Sequence, residues 1–131
     1  MEIINYSDRE HYQEIYNWWK HYGELPPMAY ALPESSGILV VKDGVRICAG
    51  WAYMPFGCNL AQIGHFVTNP EASSKDKHNA LKMLTNNLEK MCFDLGYFQV
   101  NCIVSSSGMS SMLKRIGYYE LKSHKYLSKK L

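Results

Sequence analysis

A strand, Leu60-Ala-Gln-Ile-Gly-His-Phe-Val67, runs into a polar loop, Thr68-Asn-Pro-Glu-Ala-Ser-Ser-Lys-Asp-Lys77, and the loop into a long amphipathic helix that stops at Gly96. Ser73, Ser74, Lys75 and Lys77 crowd the junction. The first turn of a helix leaves its amides unpaired, and the positive end of the helix dipole points the same way, so the junction is built to hold an anion. His65 is the one titratable side chain in the strand that leads there, and Gly64 beside it marks a bulge or a close approach of backbone.

The elements that position this junction follow from pattern. A short strand, Glu2 to Tyr6, precedes Ser7-Asp-Arg-Glu10, a capping box that opens a helix ending at Gly23. Tyr12, Ile15, Tyr16, Trp19 and Tyr22 fall on one face of it. Trp18 lies off that stripe, to cover another element or to edge a binding site. Glu24 to Pro33 holds three prolines in ten residues and is an ordered loop over the domain, either a substrate contact or a mere connection. Ile38 to Lys42, Asp43-Gly44 and Val45 to Tyr53 form a hairpin, because Asp-Gly suits the positive φ angles of a two-residue turn. Leu60 to Val67 then returns as the third strand of a meander.

In the long helix, Leu81, Leu84, Leu88, Met91 and Leu95 make a buried stripe. The next strand, Tyr97 to Val104, must lie parallel to Leu60 to Val67, since a strand-helix-strand crossover is right-handed. Ser105-Ser-Ser-Gly caps a short helix, Met109 to Ile116, and Tyr118 to Leu127 closes the sheet as a final strand. The fold class is α+β: one domain spanning residues 1–131, with a mixed, mostly antiparallel sheet of about six strands, helices on both faces and one parallel pair.

Composition narrows the partners. Of 131 residues 47% are apolar and 20% charged, ordinary for a globular domain, and a net charge of +2 does not argue for nucleic acid. No apolar run reaches the ~20 residues of a membrane span, and the basic start of a signal peptide is missing, so the expected location is the cytoplasm. Cys48, Cys58, Cys92 and Cys102 form no C-x-x-C pair and read as reduced thiols, most of them in apolar patterns, so no metal site is expected. Ten Tyr, four Phe and three Trp suggest a partly wet aromatic surface and leave a homodimer open.

This order of elements resembles the GCN5-related N-acetyltransferase (GNAT) superfamily across nearly the whole chain. The local matches are Val67-Thr-Asn-Pro70 before an amphipathic helix, Gly96-Tyr97 opening the next strand, and Met112-Leu-Lys-Arg-Ile-Gly-Tyr118, similar to the family's leucine-tyrosine-x-lysine-x-glycine-phenylalanine close. The resemblance implies an acyltransferase that moves an acyl group, acetyl above all, from acetyl-CoA directly to an amine. It implies pantetheine contacts from Phe66, Val67 and Thr68, and a pyrophosphate loop of Ser73, Ser74, Lys75, Asp76, Lys77 and His78, with Ser106 near the cofactor. His65 becomes the candidate base, and Ser105, Ser106, Tyr118 or Tyr119 the acid. Trp18, Tyr30 and Trp51 would shape the acceptor site. The sequence departs from the family where Ser73, Asp76 and His78 replace the usual Arg/Gln and small residues, and where Leu113 replaces the usual tyrosine. Those departures favour a rival expectation, a catalytically inactive member that binds a protein or nucleic-acid partner; a weaker one is a nucleic-acid base modifier.

Overall fold

The computed structural model covers the whole chain and describes residues 1–104, 106–121 and 125–131. Its elements are β1 (Glu2–Asn5), α1 (Asp8–His21), two 3-10 turns (Ala29–Ala31 and Glu34–Ser36), β2 (Gly37–Lys42), β3 (Val45–Tyr53), β4 (Leu60–Thr68), α2 (Ser74–Asp94), β5 (Gln99–Cys102) and α3 (Ser107–Arg115). They form the expected α+β domain. The sheet has five strands in the order β1-β2-β3-β4-β5, antiparallel through β4 and parallel between β4 and β5. The expected sixth strand, Tyr118 to Leu127, is not a strand among its described residues, and Lys122, Ser123 and His124 lie outside them.

The Asp-Gly turn forms as its chemistry requires. Asp43 and Gly44 take φ angles of 50° and 78°, and Lys42 pairs with Val45 across a two-residue hairpin. On one face of the sheet α2 buries Ala80, Leu84, Leu88 and Cys92 against Val40, Ala52 and Ile63. On the other, α1 packs Ile15, Trp18 and Trp19 against Leu39, Ala49, Trp51 and Val67. Truncating a fully buried leucine such as Leu84 to alanine costs about 2–5 kcal/mol, because the removed methyls leave a cavity the neighbours only partly fill.

Several local expectations are corrected. Ser7 makes no side-chain cap; its amide instead donates to Nδ1 of His11 at 2.9 Å, and the imidazole one turn on takes the place a capping glutamate would fill. The buried face of α1 runs through His11, Ile15, Trp18 and Trp19, so Trp18 is core and Tyr22 is exposed. Leu95 caps α2 and faces outward, and the strand expected over Tyr97 to Val104 narrows to β5, leaving Phe98 exposed. Helix α2 also begins at Ser74. The last four residues of the expected loop, Ser74 to Lys77, are therefore the first turn of a helix, while Thr68 to Ser73 stay outside it.

Candidate functional site

The parallel ladder pairs Leu60 with Gln99 and ends at Ile63 with Cys102. Beyond that rung β4 continues to Thr68 while β5 stops, so the two chains part and a cleft opens between them. The cause lies on the other edge of β4. Against β3, Val67 pairs with Ala49 and Gly64 with Trp51, so His65 and Phe66 together face Gly50 alone. This is a bulge, two residues against one, which bends the strand. His65 carries it, with φ of 55°, in the left-handed region that L-residues occupy at a cost. The bulge expected at Gly64 thus falls one residue later.

Gly50 is what lets the bulge fold flat. A Cβ there would lie 2.7 Å from Cδ1 of Phe66 and 2.9 Å from Cδ2 of Leu84. With no side chain at position 50, the Phe66 ring settles over the strand and the side chain of His65 turns to the cleft. His65 is exposed at the cleft, yet desolvation by the protein around it holds its imidazole pKa below the usual 6.5, which favours the uncharged, proton-accepting ring at neutral pH. Its neighbour is the ring of Tyr53, with centroids 5.8 Å apart.

The cleft measures about 740 Å³. Gly64, His65, Phe66, Val67 and Thr68 line one side; Ile103, Val104, Ser106 and Met109 line the other. Of the start of α2, Lys77 lines the cleft, while Ser73, Ser74, Lys75 and Asp76 do not. The Ser73 hydroxyl accepts from the amide of Asp76 at 3.1 Å, while Ser74 and Lys75 occupy first-turn positions, whose amides have no intrahelical partner. Lys77 reaches into the cleft, its Nζ 3.3 Å from the carbonyl oxygen of Pro70 and 5.8 Å from the centre of the Tyr22 ring. The hydroxyls of Tyr22 and Thr68 are 2.9 Å apart, which ties the end of α1 to the end of β4. Asp76 would repel an anion here, but Lys42 pairs with it at 2.9 Å, and that hydrogen bond holds its carboxyl below the usual range. His78 follows within the helix and does not line the cleft.

The remaining sequence candidates divide. Ser106 lines the cleft as the cap of α3, its hydroxyl accepting from Met109 at 3.3 Å. Ser105 lies outside the described residues. Tyr118 is not at the cleft: its hydroxyl donates to Glu89 at 2.5 Å, and burial with the Glu89 bond raises its pKa. It lines a second cavity, about 690 Å³, along the outer side of β5. Trp51 is wholly buried, edge-on to Tyr6 at 5.0 Å and stacked on Trp19 at 5.9 Å. Trp18 is likewise core, and Tyr30 is exposed on the turn Ala29–Ala31 away from the cleft lining. Burial pushes the Cys48 and Cys102 thiols up to about 12, so neither serves as a nucleophile.

Trp19, Tyr22, Tyr53, Gln62 and Tyr126 line the cleft without having been singled out. Tyr22 lies on the aromatic face expected for α1; its position at the last turn before Gly23 was the available hint that it reaches another element. Gln62 and Tyr53 are cross-strand partners on the sheet face that α1 leaves open. Tyr119 is exposed and lines the second cavity.

No family model matches the chain, and no curated protein matches it in sequence. Solved structures do match in shape. An acetyltransferase from Trypanosoma brucei is similar at 15% identity and a TM-score of 0.68, over 98% of this chain and 99% of that one. Aminoglycoside N-acetyltransferase AAC(6')-Iy, solved in complex with CoA, is similar at 14% identity and a TM-score of 0.70, over 99% and 100%. A transcriptional regulator from Bacillus halodurans is similar at 11% and 0.66, over 99% of each chain. At such identities the likeness carries architecture and leaves activity to the site itself. No helix is long and apolar enough, among the described residues, to cross a membrane. With its bulged fourth strand, its parallel crossover through α2 and its split sheet, the chain has the fold of the GCN5-related N-acetyltransferases.

Proposed function

We propose that this protein is an N-acyltransferase that carries an acetyl group from acetyl-CoA to an amine, directly and without a covalent enzyme intermediate. The observation that carries the reading is the parting of β4 from β5 at the His65 bulge, which opens a cleft that reaches α2 at Lys77, in its first turn. The residues present fit such a donor. Backbone at Phe66, Val67 and Thr68 offers strand-like partners to the amides of a pantetheine arm. The amides of Ser74 and Lys75 and the ammonium of Lys77 suit a diphosphate, with Lys42 offsetting Asp76. The loop from Thr68 to His78 has no glycine, so the grip falls to the helix start and Lys77.

Bound there, acetyl-CoA supplies an activated acyl group as a thioester. His65, neutral at working pH, takes the proton of the acceptor ammonium so that its lone pair can attack. A C–N bond forms, the C–S bond breaks, and the departing sulfur needs a proton. In this reading Ser106, one of several cleft-lining hydroxyls, hands one on, and Tyr118, held by Glu89 outside the cleft, does not. A second reading, a fold kept for binding a protein or nucleic-acid partner, is favoured by one fact: α3 buries Leu113 and offers no tyrosine to the cleft.

Thermal unfolding with acetyl-CoA separates the two. At a hundredfold excess over the dissociation constant, mass action adds about 2.7 kcal/mol. For a chain of this size that raises Tm by roughly 10 °C. No shift at millimolar acetyl-CoA overturns the acyltransferase reading.

A further inference from the structure

We infer that the acceptor is a monoamine with a flat apolar body, and that polycationic amines are poor ligands. The inference rests on the acyltransferase reading above and concerns the wall of the cleft facing His65 and Tyr53. Leu25, Pro26, Pro27 and Met28 line that wall. Two prolines in succession fix its φ angles. Its backbone is tied down on both sides: the Tyr12 hydroxyl of α1 donates to the carbonyl of Pro27 at 2.8 Å, and the Tyr53 hydroxyl of β3 donates to that of Ala31 at 2.8 Å. The wall is therefore preformed, yet it holds Leu25 and Met28 out in water, 93% and 57% exposed. A stiff, apolar, uncovered surface beside a base is suited to the apolar part of a ligand, which gains by covering it.

Charge points the same way. Among the described residues that line the cleft, Glu24 is the one carboxylate and Lys77 the one permanent cation. A ligand with three or more ammonium groups would have to shed water from each while meeting a single counter-charge. That is a poor exchange, and Lys77 adds repulsion. A single ammonium on an aromatic or aliphatic body leaves nothing unpaired. Tyr53 supplies a ring face for such a body, 5.8 Å from the His65 ring.

Calorimetry on the full chain, with and without saturating CoA, tests this with 2-phenylethylamine and spermidine at equal pH and salt, alongside the acetyl-CoA melting shift. The expected result is at least tenfold tighter binding of 2-phenylethylamine, reduced fivefold or more in Leu25→Asn or Met28→Asn, while the acetyl-CoA shift stays as in the wild type. Both positions are solvent-facing, so both variants should fold. Spermidine binding as tightly or tighter, neither amine binding, or no effect of either substitution overturns the inference. An acetyl-CoA shift with reversed amine preference sinks this inference alone. Loss of the shift with the amine preference intact sinks acyl transfer and leaves the ligand class standing.

Discussion

Gly50 is the position where the account of the bulge is most exposed to refutation. A methyl group placed there would stand 2.7 Å from the Phe66 ring and 2.9 Å from a Leu84 methyl. Ordinary carbon contacts begin near 3.5 Å, so the ring must retreat by about 0.8 Å. Leu84 is fully buried in the α2 interface and cannot yield, which leaves Phe66, the second residue of the bulge, to move. Overpacking of this kind costs about 1–3 kcal/mol. We expect Gly50→Ala to lower the urea midpoint accordingly with an unchanged m-value, and to weaken acetyl-CoA binding through the displaced strand. Phe66→Leu added to Gly50→Ala should recover part of the stability, since the shorter side chain vacates the contested volume. A Gly50→Ala protein as stable as the wild type, or one that the second substitution fails to relieve, would refute the claim that an empty position 50 shapes the bulge.

Other outcomes follow from single residues. His65→Gly should be as stable as the wild type or more stable by about 1 kcal/mol in chemical denaturation, because glycine occupies its left-handed φ without strain; its turnover should collapse while the acetyl-CoA melting shift persists. Because the His65 pKa is lowered, the acid limb of the pH-rate profile should fall below 6.5, and a limb above 6.5 would contradict the role. His11 is buried, and desolvation first, then the Arg46 charge, holds its pKa below 6.5. The unfolded chain therefore binds more protons, so this stability is complete above pH 6.5 and is lost as pH falls through the window beneath it; stability that stays flat from pH 7 to 5 in the wild type would contradict it. Lys77→Ala should weaken acetyl-CoA binding by about tenfold at low salt, and the difference from the wild type should shrink as salt rises; calorimetry at two ionic strengths reads both.

The framework of this fold could be read from sequence because its signals are local. Asp43-Gly44 dictates its own turn, and the apolar stripe with Leu84 and Leu88 needs only helical spacing to find the sheet. The site was harder, for reasons visible in particular residues. Trp18 and Trp51 look like ligand-facing aromatics, but a helix with large side chains on two flanks can bury either, and here Trp18, Trp19, Tyr6 and Trp51 share one buried cluster. Gly64 carried the expected flexibility, whereas the positive φ belongs to His65, set by an unpaired position across the strand. Tyr118 sits where a family motif ends, and its partner Glu89 is 29 residues away in sequence. Such pairings are properties of tertiary packing, so no local pattern announces them.

The central claim is that acetyl-CoA lies between β4 and β5 with its phosphates on the start of α2. Amide chemical-shift mapping by NMR with unlabelled acetyl-CoA tests it directly. The account predicts the largest perturbations at the amides of Phe66, Val67, Thr68, Ser74 and Lys75. Saturable binding that leaves those amides unmoved and perturbs instead the cavity around Tyr118 and Glu89 would contradict it.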